Sequence, residues 1–464
     1  MPYYLDYTRT DMTPMTNILD SEGDTNLTQH RQKWHAQQSH KSQSLLIRDE
    51  NVFLHQSLSS PCLDVIEHCD GVYFYDVNGR RYLDFHGNNV HQLGYSHPNV
   101  TGAINEQIKQ LSFCVRRYTN QVSIELAEKL VEISPANLTR VLFAPGGASA
   151  ISMAMKLARI YTGKHKTISL WDSFHGANLD TISIGGEAVF RQNIGPLLPG
   201  CEHAPPPAPN QCVFKCGKTC STQCADYIEY MLEKEGDIAC VIAETIRSTP
   251  YIPPKHYWQK VRAACDKHGA LLILDEVPHC LGRSGKMFTV EHYDIEPDML
   301  VIGKGLGGGI MPFAALLASE TLNCASHTAL GHYTHEKSPV SAAAALATIN
   351  TIEDENLLAH CNVMGEYFEQ QLLALKAQFS VIHDVRGLGL FWGVELRFDD
   401  GTKAKDLAER IMYRALSLGL NFKVTMGNVL TLTPPIIIQR EQLDDAILIL
   451  QECLSLEIDT KKER

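Results

Sequence analysis

Between residues 140 and 309 the chain repeats one rhythm, in which a short apolar run is followed by a turn and then by a segment with helical spacing. RVLFAPGG leads into ASAISMAMKLARIYTG, and KTISLWDSFHG, ACVIAETI, HYWQKVRAACDKHG, ALLILDEVP and DMLVIGKGLGGG follow in order. Runs so short and so uniformly apolar have no polar face to turn to water, so each strand must be covered on both sides. The intervening helices supply that cover, and parallel neighbours need such crossovers. The rhythm predicts an α/β fold with a mostly parallel central sheet flanked by helices, and it puts ligands at the carboxyl ends of the strands.

The flanks read differently. Residues 1–45 are polar, with HRQKWHAQQSHKSQ predicting a short helix in an otherwise loosely held arm. GVYFYDVNGRRYLDF alternates apolar and polar residues around Asn78 and Gly79, a hairpin signal. TGAINEQIKQL and SIELAEKLVEI carry helical spacing. An alanine-rich helix starts near Ser341, FSVIHDVRGLGLFWGVELRF resembles antiparallel strands, and EQLDDAILILQECL closes the chain as a helix. The expected organisation is an arm over 1–45 and a segment over 46–100 that joins a small domain. A large domain covers 101–340 and a small C-terminal α+β domain 341–464.

Composition narrows the function. With 464 residues, 44% of them hydrophobic, the chain can bury one large core and a smaller one, which excludes a disordered scaffold. A formal charge of −12 argues against a nucleic-acid partner, although a local basic pocket can still take a small anion. No uninterrupted apolar stretch is long enough for a membrane span, and MPYYLDYTRTDMTP lacks a basic segment followed by an apolar one. A cytoplasmic protein with no membrane partner is the expectation. The fourteen cysteines then read as reduced. Cys212, Cys216, Cys220 and Cys224 stand apart as a C-x3-C-x3-C-x3-C run after HAPPPAPN. Three intervening residues are one more than the usual zinc knuckle has, so reduced thiols or a lid loop compete with a metal site, and none is assigned.

The chemistry collects at strand ends. LLILDEV presents Asp275 and Glu276 directly after four aliphatic residues, and MLVIGKGLGGG brings Lys304 out of the next apolar run. A lysine emerging from a buried strand loses hydration, which lowers its pKa and makes the amine a nucleophile toward aldehydes. A fixed carboxylate suits a pyridinium nitrogen. FAPGGAS ends a strand and opens a helix, so the amides of Gly147, Ala148 and Ser149 would face a phosphate with the helix dipole behind them. Together these three features describe pyridoxal phosphate.

The order FAPGGAS, SFHGAN, VIAETI, ILDEVPHCLGRSG, DMLVIGKGLGGG and YTHEKSPVSAAAALA resembles the class III aminotransferase family, pyridoxal-phosphate enzymes of fold type I, from about Gly71 to Leu456. The resemblance implies that Lys304 binds the cofactor covalently and moves protons, and that Asp275 partners the ring nitrogen. It also implies that Phe174 stacks on the ring, that Val277 presses the opposite face, and that Gly147 and Ala148 bind phosphate through backbone N–H groups. Glu244 resembles a family residue near the cofactor, with a structural ion pair as the alternative. Thr334 would come from a neighbouring subunit, which implies a homodimer with shared sites.

Departures from the family pattern bear on the reaction. The phosphate turn lacks the usual hydroxyl residues, leaving backbone donors. Pro278 and His279 stand where the family usually has a glutamine reaching the ring hydroxyl, so His279 becomes a candidate for that contact. FHGNNVHQLGYSHP puts Asn88, Asn89 and His91 on the substrate side. Together with DEVPHCLGRSG and the cysteine-bearing segment, these stretches are similar to a lyase subgroup, the (R)-1-hydroxy-2-aminoethylphosphonate ammonia-lyases. The implied reaction expels a β-hydroxyl, protonated by His279, His91 or Lys304, and yields phosphonoacetaldehyde and ammonia. Arg116, Arg117 and Arg247 are candidates for the phosphonate. The alternatives are an ω-amino acid or amine:pyruvate aminotransferase, a phosphoethanolamine-type phospho-lyase, and a cofactor-dependent regulatory protein.

Overall fold

The computed structural model describes residues 28–56, 62–216 and 220–459. Seven strands form the central sheet: β1 (Arg140–Ala144), β2 (Lys166–Leu170), β3 (Cys201–Ala204), β4 (Ile238–Glu244), β5 (Leu271–Asp275), β6 (Met299–Ile302) and β7 (Ala314–Ala318). Their spatial order is β1-β7-β6-β5-β4-β2-β3. β7 runs antiparallel to both of its neighbours, and every other pairing is parallel. The sheet is therefore mostly parallel, as the rhythm of apolar runs predicts. Two of its strands carried no such signal. β3, reading CEHA, is a polar edge strand, and β7, reading AALLA, consists of residues that favour helix over strand.

Burial explains the uniform hydrophobicity. Every residue of β4, β5, β6 and β7 is buried. Alternate side chains feed two separate cores, as strand geometry requires. Leu271, Ile273, Met299, Val301 and Leu316 pack with Ala150, Ile151, Ala154 and Leu157 of the helix Gly147–Thr162. Leu272, Leu274, Leu300, Ile302 and Leu317 face the other way, in the core that holds Ile228, Trp258 and Val261 of helices Gln223–Glu235 and Lys255–His268.

Two smaller sheets flank this layer. Ile66–Asp70, Tyr73–Asp76 and Arg81–Asp84 form an antiparallel meander that takes up Leu420–Asn421 in parallel along its last strand. Asn78 and Gly79 turn the hairpin, with Gly79 at φ +80°. Ile382–Leu388, Phe391–Leu396, Val429–Leu432 and Lys423–Thr425 make a second, antiparallel sheet. The chain closes with the helix Arg440–Asp459.

Of the N-terminal arm, residues 1–27 lie outside the described residues. The rest holds two helices, Gln29–Ala36 and His40–Val52, the second running through position 45. Trp34 is buried, its ring centroid 6.1 Å from that of Tyr413 on the helix Lys405–Ser417, so this part of the arm is docked. No helix among the described residues is long and apolar enough to cross a membrane.

Candidate active site

The carboxyl ends of the central strands open into a cavity of about 390 Å³, lined in part by Gly147, Ala148, Phe174, Glu244, Asp275, Val277 and Lys304. Seven residues singled out from sequences spread over more than a hundred positions thus meet at one place. The register explains part of this convergence. Glu244 ends β4 directly beside Asp275 at the end of β5, so two carboxylates emerge side by side.

Asp275 is gripped on both oxygens. His175 Nδ1 lies 2.8 Å from Oδ2, and the Val277 amide donates to Oδ1 at 3.0 Å. Both His175 and Asp275 are buried, so the direction of the carboxylate is fixed without help from water. Sequence reading took His175 only as the neighbour of Phe174; the signal that would have found it is the strand order, because the loop after β2 lies one strand beyond β4.

The adjacent Glu276 does different work. It is fully buried and accepts from Thr245 Oγ1 at 2.9 Å, from Thr289 N at 2.7 Å and from Val290 N at 2.6 Å. Burial still pushes its carboxyl up to about 7. Glu276 therefore pins the chain below the cavity and takes no part in lining it.

The residues present fit pyridoxal phosphate. The helix Gly147–Thr162 makes its first internal bond from Ala150 N to Gly146 O at 3.2 Å. The amides of Gly147, Ala148 and Ser149 therefore precede the ladder and stay available at the cavity wall. A methyl group on Gly147 would stand 3.1 Å from both Val277 methyls, so the bare backbone is what lets the helix start lie against that wall. Lys304 adopts φ +47°, a left-handed conformation that lysine seldom takes and that costs about 1–2 kcal/mol. Strain of this kind persists where the surroundings over-determine it, and it gathers at functional sites.

The chain belongs to the class III aminotransferases. The aminotransferase class-III family model matches residues 56–454. An (R)-1-hydroxy-2-aminoethylphosphonate ammonia-lyase of Vibrio splendidus (strain 12B01) is 48% identical over 454 residues, covering 94% of this chain and 95% of the relative. A leucine/methionine racemase of Thermococcus litoralis is 34% identical over 392 residues, covering 82% and 88%. Among solved structures, an ω-transaminase from Pseudomonas jessenii in complex with PMP superposes with a TM-score of 0.83 at 27% identity, covering 89% of this chain and 98% of the other. This class III chain is accordingly an enzyme of fold type I, and its cofactor is pyridoxal phosphate.

The remaining candidates from sequence scatter around the cavity. Val90 lines it, between buried Asn89 and His91. Gly87, Asn88 and Asn89 are successive left-handed residues, at φ +42°, +46° and +59°. His91 Nε2 lies 3.3 Å from the Asp84 carbonyl, and burial lowers its pKa to about 4. Pro278 is at the wall while His279 turns inward, its Nδ1 3.2 Å from Thr289 Oγ1, with burial lowering its pKa to about 3. Arg247 sits one layer behind Glu244, donating to Glu244 Oε1 at 3.0 Å and to Glu187 Oε2 at 2.8 Å.

Arg116 and Arg117 are exposed and do not line this cavity. Arg116 lines another groove, 3.4 Å from Glu336, and Thr334 is exposed two residues along. Ser248 and the stretch Ile310 to Phe313 also line the cavity, and sequence reading passed over them. Among the described residues no group of three or more His, Cys, Asp or Glu is arranged to hold a metal ion.

Proposed function

We propose that this chain is an ammonia-lyase that converts (R)-1-hydroxy-2-aminoethylphosphonate into phosphonoacetaldehyde and ammonia, a step of phosphonate catabolism. The observation that carries the reading is the 48% identity to the Vibrio splendidus ammonia-lyase, sustained over 94% of this chain. Bound pyridoxal phosphate supplies the electron sink for the pair left when the C–H bond beside nitrogen breaks.

In this reading Asp275, held by His175 and the Val277 amide, keeps the ring nitrogen protonated. Gly147 and Ala148 would hold the phosphate through their amides, Phe174 and Val277 would enclose the ring, and Glu244 would close one side. Lys304 takes the proton from carbon, having first held the cofactor. The departing hydroxyl also needs a proton, because hydroxide is a poor leaving group. Lys304 is assigned that transfer too. Of the two histidines considered from sequence, His279 and His91 are both held neutral by burial and neither lines the cavity. Water then hydrolyses the released enamine, so substrate leaves as aldehyde and ammonia with no net oxidation and no second substrate.

For the phosphonate, Arg247 is the favoured candidate: it stands behind the wall residue Glu244 and lines a small adjoining cavity with it, so the phosphonate would have to displace a carboxylate partner of its guanidinium. Asn89, His91 and His279 shape that side from behind the wall. Arg116 pairs with Glu336, two residues from the exposed Thr334, and in a homodimer Arg116 and Thr334 would both serve the site of the neighbouring subunit.

The test is incubation of the holoenzyme with (R)-1-hydroxy-2-aminoethylphosphonate in the absence of any keto acid. Sustained release of ammonia and phosphonoacetaldehyde, one of each per substrate, is the expected result. Turnover that strictly requires pyruvate would replace this reading with an aminotransferase, in keeping with the fold of the Pseudomonas jessenii ω-transaminase. Release of inorganic phosphate from phosphoethanolamine would replace it with a phospho-lyase.

A further inference from the structure

The segment between β3 and the helix Gln223–Glu235 takes no part in the chemistry above, yet it carries Cys212, Cys216 and Cys220, and Cys224 follows in the first turn of that helix. A turn closed by Lys215 N to Cys212 O at 3.0 Å, with Lys215 at φ +53°, folds the chain back on itself. Cys212 Sγ is thereby placed 3.6 Å from Cys216 Sγ. A disulfide needs about 2.05 Å between sulfurs, so roughly 1.5 Å remains to be closed, a distance that side-chain rotation can cover.

The two sulfurs are not equivalent to the others in the run. Ser221 Oγ lies 3.1 Å from Cys216 Sγ, and the backbone amides of Ser221 and Gln223, where the helix begins, also point at that sulfur. These donors bring the Cys216 thiol down to about 7, so roughly half of it is thiolate at neutral pH. Cys224 is buried, and burial drives its thiol up to about 12, so it stays protonated and inert. Cys212 and Cys216 are both partly exposed. The pair sits on a strap. Upstream, Pro206 and Pro207 line a small cavity with Glu244, Arg247 and Tyr251, and Asn210 Nδ2 donates to Asp384 Oδ2 and Glu395 Oε2, each at 3.0 Å.

We propose that Cys212 and Cys216 form a reversible dithiol–disulfide pair, with Cys216 as the attacking sulfur, Cys212 as the resolving one, and hydrogen peroxide as the oxidant. The Cys216 thiolate attacks one oxygen of the peroxide, the O–O bond breaks, and the departing hydroxide takes a proton to become water. Cys216 is then a sulfenic acid. The Cys212 thiol attacks that sulfur, the S–O bond breaks, and a second water leaves as the S–S bond forms. Two electrons pass from the sulfurs to one peroxide, and an external dithiol returns them.

The experiment treats the holoenzyme with one equivalent of hydrogen peroxide, alkylates the remaining thiols, and maps peptides without reduction. The expected product joins Cys212 to Cys216 with the loss of two hydrogens and reverts on addition of dithiothreitol. In Cys212→Ser the reaction should stop at a Cys216 sulfenic acid that dimedone traps, and in Cys216→Ser neither product should form. A bond from Cys216 to Cys220 or Cys224, direct passage of Cys216 to sulfinic acid with Cys212 still alkylatable, or no change at either thiol would each overturn the proposal. So would one zinc ion per chain in the isolated protein that shields all four cysteines from alkylation.

Discussion

Gly176→Ala tests how closely the loop carrying Phe174 and His175 is fitted to the phosphate turn. Gly176 has φ +123°, and a Cβ there would stand 2.4 Å from Ala148 Cβ, 2.9 Å from Ala148 Cα and 3.0 Å from Thr181 Oγ1. The backbone conformation alone costs an alanine about 1–3 kcal/mol. Overpacking against a helix start that cannot swing aside adds about 1–3 kcal/mol, so the variant should lose roughly 2–6 kcal/mol of stability. Relief of the clash requires Ala148 to retreat by about 1 Å, toward an ordinary carbon contact of ~3.5–4.0 Å. If the Ala148 amide holds the phosphate as proposed, that shift weakens one charge-assisted contact, worth about 1.5–3 kcal/mol, or roughly a 10- to 150-fold loss of cofactor affinity. Thermal unfolding of the apoprotein and its titration with pyridoxal phosphate, followed by protein fluorescence, read the two effects separately. Gly102→Ala is the matched control: its Cβ would meet nothing within 4 Å on the exposed side of the helix Pro98–Gln110, and it should gain about 0.5–1 kcal/mol. A Gly176→Ala protein that melts and binds cofactor as the wild type does would refute the packing argument.

Two other perturbations follow from buried charge. His279 and His91 have folded pKa values near 3 and 4, against about 6.5 unfolded, so the unfolded chain takes up protons first as the pH falls. Their stabilising effect is complete above about pH 6.5 and is lost progressively on acidification, on the order of several kcal/mol in all. Urea midpoints at about pH 7.5 and about pH 5 should therefore differ more in the wild type than in His279→Gln, and equal differences would exclude this histidine as a cause. Arg247→Ala leaves Glu187 and Glu244 buried without their shared cation and should cost about 3–5 kcal/mol; a double-mutant cycle with Glu187→Gln that showed no coupling would contradict the ion pair.

What the sequence disclosed, and what it withheld, divides along a physical line. Strand ends were legible because buried parallel strands are uniformly apolar, so Asp275, Glu244 and Lys304 announced themselves as polar residues terminating such runs. The start of the helix Gly147–Thr162 was legible through the glycine pair that opens it. Pairings between distant segments were not. Nothing local says that His175 will meet Asp275, that Arg247 will be shared by Glu187 and Glu244, or that His279 will face Thr289 rather than the cavity. β7 was missed because its alanines and leucines carry a helical propensity that the sheet overrides. The cysteine run was visible but unreadable, since three-residue gaps leave the geometry to a turn that only the structure shows.

The central claim is that a strained lysine at the end of β6 holds the cofactor. Borohydride reduction of the yellow holoenzyme, followed by peptide mapping, tests it most directly. The cofactor is expected on Lys304 and on no other lysine, with Lys304→Ala colourless, unlabelled and inactive. A label on a different lysine, or full turnover and colour retained by Lys304→Ala, would contradict the account.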